Sequence, residues 1–109
     1  MAYDEELAAR AREALADRAQ ASERKMFGGL ALMVDGHMCC GVIGENLVVR
    51  LGPEGGEEAL DEPHVSPMDF TGRPLTGFVY VAPAATATVD DIRPWVDRAL
   101  AFVATLPRK

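Results

Sequence analysis

The dipeptide Asp35-Gly36, set between two runs of strand-forming residues, constrains this chain more than any other feature. A two-residue type I′ turn needs positive φ at both central positions, which Asp-Gly tolerates, so the chain is expected to reverse here and pair the run before with the run after. Before it, Met26, Gly28, Leu30, Leu32 and Val34 fall on one face of a period-two pattern, and Phe27, Gly29, Ala31 and Met33 on the other. After it, His37 to Ile43 reads as a second strand and Gly44-Glu45-Asn46 as another short turn. The β-branched run Leu47-Val48-Val49-Arg50-Leu51, stopped by Gly52-Pro53, reads as a third. The expectation is a three-stranded antiparallel meander from about Lys25 to Leu51.

Helical patterns flank it. From Asp4 to about Ser22 the residues are strong helix formers without Gly or Pro; Leu7, Ala11 and Leu15 recur on one face, and acidic residues crowd the first turns, where the helix dipole favours them. At the other end Thr88-Val89-Asp90-Asp91 resembles a capping box, opening a helix that runs to about Leu106, with Pro94 placing the first turn nearer Asp90 or Asp91. Its stripe of Ile92, Val96, Ala99, Val103 and Leu106, widened by Trp95 and Phe102, should bury more area than the first helix. Between them, Glu54 to Glu62 can supply a turn or two of helix, Val65 to Phe70 a short extended piece, Thr71-Gly72-Arg73-Pro74 a loop, and Phe78-Val79-Tyr80-Val81 a strand. The fold class expected is α+β, in the order helix, three-stranded antiparallel meander, short helix, two strands, C-terminal helix.

At 109 residues and 49% apolar, the chain suits a single domain, 1–109, with one core. No apolar run approaches the length of a membrane span and no basic-then-apolar leader opens the sequence, so the expectation is a cytoplasmic protein without membrane contact. Seventeen acidic against eleven basic residues give a net charge of −6, which opposes direct nucleic-acid binding unless the basic residues gather on one face. The best such group, Arg24 and Lys25 with Arg10, Arg12 and Arg18, is interleaved with acids.

Candidate chemistry is sparse. Cys39 and Cys40 are adjacent, and neighbours on a strand point to opposite faces, so they are expected neither to form a disulfide nor to hold a metal, for which only His37 and His64 could add ligands. They read as small buried hydrophobes. His37 reads as a solvent-facing strand start and His64 as a loop residue. Gly28-Gly29 and Gly55-Gly56 lack the spacing of phosphate-cradling loops, so Gly28-Gly29 reads as a bulge or close backbone passage within a strand. Glu57, Glu58, Asp61 and Glu62 read as a solvated face, and Trp95, Phe102 and Tyr80 as core. No catalytic residue, metal ligand or cofactor site is expected.

Taken together, Arg24-Lys25-Met26-Phe27-Gly28-Gly29-Leu30, then Leu32 and Asp35-Gly36, then the closing helix with Trp95 and Arg98-Ala99-Leu100, resemble the N-terminal domain of TfoX/Sxy proteins. The resemblance covers almost the whole chain. It implies a fold similar to type III secretion chaperones, in bacterial regulators associated with natural competence, and it implies little chemistry. Met68 to Pro74 departs from the family pattern, which is more aromatic there.

Two functions follow as expectations. The first is a non-enzymatic binding or adaptor module that contacts a protein partner or a second copy of itself. Arg24, Lys25, Phe27, Gly28, Gly29 and Arg73 are the candidate contact residues. The second is a small-molecule or anion binder, or an enzyme, with a pocket between Arg24–Gly29 and Pro63–Gly77.

Overall fold

The Asp35-Gly36 reversal forms as its residues dictate: φ is 53° at Asp35 and 84° at Gly36, and Val34 pairs with His37 across it. The computed structural model describes residues 3–26, 28–70 and 73–107, the side chains at 70, 73 and 74 excepted. Helix α1 (Glu5–Ala16) precedes strands β1 (Ser22–Met26), β2 (Gly29–Val34), β3 (His37–Ile43) and β4 (Asn46–Arg50). Helix α2 (Gly52–Ala59) leads to β5 (Val65–Phe70) and β6 (Arg73–Val81), and a short 3-10 turn (Pro83–Ala85) precedes α3 (Val89–Val103). The strands form one six-stranded antiparallel sheet in the order β1-β2-β3-β4-β6-β5. This is the α+β arrangement expected, with one strand more.

The extra strand comes from two places where local propensity misleads. Helix α1 stops at Ala16, and Ser22–Met26, an extension of helix-forming composition, instead pairs with β2 from Ser22↔Met33 to Met26↔Gly29. The pairing satisfies backbone groups that a frayed helix end would leave to water, and Arg12 on α1 grips Glu23 on β1 through two hydrogen bonds, at 2.6 and 3.0 Å. The run from Met26 to Val34 is therefore two strands, with Gly28 in the reversal at φ 73°. Gly29 marks a close backbone passage: a side chain there would run into the carbonyl of Val42.

Helix ends follow their residues. Asp4 caps α1 by accepting from the amides of Glu6 and Leu7. At α3 the Thr88 hydroxyl accepts from the Asp91 amide at 3.1 Å and the Asp91 carboxylate accepts from the Thr88 amide at 3.2 Å, a complete capping box. Helix α3 thus starts at Val89, ahead of the start that Pro94 suggested; the proline lies past the first turn, where its missing amide costs one hydrogen bond without moving the cap.

Two apolar clusters lie on opposite faces of the sheet. Leu32, Cys40, Val42, Leu47, Val49 and Val81 face α1 and α3, meeting Leu7, Ala11, Leu15, Ile92, Val96 and Ala99. Ala8, Ala11 and Ala14 of α1 are fully buried and let the helix approach closely. Each fully buried Leu, Ile or Val here stabilises by roughly 1.5–3 kcal/mol. The other cluster, Ala31, Met33, Met38, Val48 and Met68, is ringed by half-buried Met26, Ile43, Leu75, Phe78 and Tyr80, and among the described residues no helical side chain joins it.

A β-bulge alters the cysteines. Leu32 pairs with Cys40 but Met33 pairs with Met38, so Cys39 is the extra residue, and both thiols lie in the helix-side core. The expectation of thiols on opposite faces fails for this reason. Their reading as buried hydrophobes holds, since neither is accessible.

Candidate functional site

The two-residue reversal after Met26 resets the side-chain parity, bringing Arg24 and Met26 of β1 onto the same face as Ala31 and Met33 of β2. Met38 of β3, Arg50 of β4 and Phe78 of β6 continue that face across the sheet. These side chains line a concavity of about 360 Å³, closed at one end by His37 and Leu106. The floor is apolar and its charged groups are guanidinium groups; among the described residues no carboxylate lines it.

Arg50 is held in place by aromatic rings. Its guanidinium carbon lies 5.4 Å from the centre of the Phe78 ring and 5.6 Å from that of Phe102, so two cation–π contacts orient it while leaving its N–H donors without a carboxylate among the described residues. Arg24 is exposed and likewise has no ion-pair partner among the described residues. The other described arginines are engaged. Arg12 pairs with Glu23, Arg18 with Asp97, Arg93 with Asp17 and Asp90, and Arg98 with Glu62, while Arg10 donates to the Thr86 carbonyl. The hydrogen bond from Arg12 holds the Glu23 carboxyl below the usual carboxylate range, and that from Arg18 does the same for Asp97.

His37 is 8% exposed, which corrects its reading as a solvent-facing residue. Its Nε2 lies 2.6 Å from the carbonyl oxygen of Pro107, and since a carbonyl only accepts, Nε2 carries the proton. The segment after α3 folds back over the end of β3 and buries the ring. The ring is thereby tied to structure. The Cys40 thiol is pushed well above its ordinary range, by its hydrogen bond to Cys39 first and by burial second, so it stays protonated at neutral pH.

Of the residues singled out from sequence, Arg24 lines the concavity, and Lys25 is exposed but pairs with Leu30, which puts it on the helix side of the edge strand. Gly28 turns the chain and Gly29 packs against β3. Phe27 and the side chain of Arg73 fall outside the described residues. The segments Arg24–Gly29 and Pro63–Gly77 belong to opposite edges of the sheet, and Met26 of the first falls in the same apolar cluster as Met68 and Leu75 of the second. Pro67, Leu75 and Thr76 line a separate concavity of about 230 Å³ against α2, where a Cβ on Gly56 would lie 3.0 Å from the Gly77 Cα. Arg50, Met33 and Met38 were not singled out. A lone arginine in an otherwise apolar strand was the signal for the first.

Among the described residues no cluster of His, Cys, Asp and Glu could hold a metal, and no helix is long and apolar enough to cross a membrane. A family model described as the TfoX N-terminal domain matches residues 3–103. A search of curated proteins finds no match to the chain.

Proposed function

This chain belongs to the TfoX N-terminal domain family, and on that premise we propose that it is a non-enzymatic binding module that acts by protein contact through the helix-free face of its sheet. Membership brings a regulatory, adaptor-type role at the level of the family. The observation that carries the finer reading is the asymmetry of the sheet: among the described residues every buried helical side chain packs on one face, while the other carries a methionine-rich cluster with a half-buried aromatic and aliphatic margin. Methionines adapt their shape and are favoured where a surface meets varied partners.

The sheet edges favour a face over a strand-to-strand contact. Edge strand β1 reads Ser-Glu-Arg-Lys-Met and is mostly exposed, and edge strand β5 carries Pro67 and a register irregularity, both devices that discourage another strand from pairing. The test is capture of proteins from lysate of the source cell on the immobilised chain, repeated with Arg24→Glu/Tyr80→Glu on the open face and with Glu13→Lys on the exposed side of α1. The reading expects a partner retained by the parent and by the α1 variant but lost from the open-face variant. Retention by all three, or loss only from the α1 variant, would contradict it, and a doubled mass in light scattering that the open-face variant abolishes would make a second copy the occupant.

A second reading, a small-molecule binder, is favoured by one observation, the Arg50 guanidinium fixed between two rings at the concavity. A metabolite that raises the melting temperature of the parent but not of Arg50→Gln would support it.

A further inference from the structure

The concavity crossing β1, β2, β3, β4 and β6 has an unusual charge environment for an acidic protein, and from it we infer that the segment bound there is an acidic peptide carrying apolar side chains. The inference rests on the reading of the open face as a protein contact surface and names the chemistry of what it contacts. The chain carries a net charge of −6, and five of its described arginines are already held by carboxylates or a carbonyl. Arg24 and Arg50 are the exceptions, and both line this concavity, whose walls contain no carboxylate among the described residues. Two guanidinium groups facing an apolar floor are electrostatically complementary to a ligand with carboxylates and apolar groups in alternation.

Geometry assigns the parts. Arg50 is clamped between Phe78 and Phe102, so its fork of N–H donors is preorganised and loses little freedom when a carboxylate docks. Arg24, on the exposed edge strand, supplies a second guanidinium at the opposite side of the floor. Between them Met26, Met33 and Met38 offer flexible thioethers to an apolar side chain. The floor extends over five strands of the sheet, which suits an elongated segment better than a compact metabolite. Nucleic acid also carries anions, but two arginines on a chain of net charge −6 face long-range repulsion from a continuous phosphate backbone, and a short acidic segment imposes far less.

The experiment uses the full chain, with methionine-methyl NMR as readout and three synthetic peptides of equal length. One alternates Asp and Glu with Leu and Phe, one replaces the acids by Lys, and one replaces the apolar residues by Ser. The acidic-apolar peptide should shift the methyls of Met26, Met33 and Met38, and the other two should not. Arg24→Gln and Arg50→Gln should each weaken that binding by about tenfold or more, as expected for loss of a charge-assisted hydrogen bond, and Arg50→Lys should fall between. An unmoved methyl of Met68, fully buried on the same face, reports that the variants fold. Equal binding of the Lys peptide, or no movement of the three methyls with the acidic-apolar peptide, would overturn the inference. So would a DNA duplex that moves the same methyls more strongly. If the peptides fail while face-dependent capture of a partner persists, the acidic chemistry is wrong and the contact face stands; if both fail, both readings fall.

Discussion

The helix-side face of the sheet and the open face are built from the same strands with alternate residues, yet they are packed differently. On the helix side, Leu32, Val42, Leu47 and Val49 meet two helices and are at most 1% exposed. The turn that closes α1 is tied to α3 by Arg18–Asp97 and Arg93–Asp17. On the open side the centre is closed by methionines and Val48, while Met26, Ile43, Phe78 and Tyr80 stay half-exposed beside Arg24 and Arg50, which have no carboxylate partner among the described residues. One face is filled mainly with branched residues of defined shape, the other has adaptable methionines among its buried residues. The proposed division of labour is that the covered face carries most of the fold's stability and the open face makes contacts.

The comparison can be broken first by paired truncations. Ile92→Ala, which empties a fully buried site on α3, should cost about 2–5 kcal/mol of unfolding free energy, whereas Met26→Ala on the open margin should cost less than about 1 kcal/mol. Urea unfolding of the two variants decides it, and equal losses would mean that both faces carry the fold alike.

A second substitution probes the backbone that gives the open face its shape. Gly41 lies in β3 with no room for a side chain, because a Cβ there would run into the carbonyl of Leu30 and press on the Met38 methyl at 3.1 Å. Gly41→Ala should destabilise by about 1–3 kcal/mol through overpacking, read from the same denaturant curves. A neutral result would show that β2 and β3 are less closely apposed than described.

Smaller still is the cap of α3. Thr88→Ala should cost about 1 kcal/mol and Thr88→Ser little, since serine retains the hydroxyl that accepts from Asp91. The smallest effect is electrostatic. Glu23 and Asp97 have carboxyls depressed in the folded state by Arg12 and Arg18, so their contribution is present above the ordinary carboxylate range and is lost as pH falls through the depressed values. Because these pairs are solvent-exposed, the acid limb of a melting-temperature profile should flatten only slightly in Arg12→Gln/Arg18→Gln, and salt should shrink the difference further.

Much of the fold was legible in sequence for identifiable reasons. Asp35-Gly36 has one favoured outcome, the stripe of α3 has one period, and Thr88 with Asp91 has one reciprocal geometry. The first hairpin was not legible in the same way. Ser22 to Lys25 has helical composition, and Met26 to Val34 alternates so regularly that Phe27-Gly28 reads as strand, whereas pairing across the sheet decided both. That slip mattered for the site, because reading one strand put Met26 opposite Met33, and the reversal puts them together. The Cys39 bulge hid in the same manner, since an extra residue in a ladder leaves no mark in a period-two pattern. Arg24 was found because it sits in the family motif; Arg50 was missed because its value comes from two rings, Phe78 and Phe102, far from it in sequence.

The most direct test of this division of labour is a paired measurement on Arg24→Gln/Met26→Ser/Arg50→Gln: its unfolding midpoint and its capture of the protein partner, each against the parent chain. The account predicts a midpoint close to that of the parent and loss of capture. Capture at the parental level with the fold intact would contradict it.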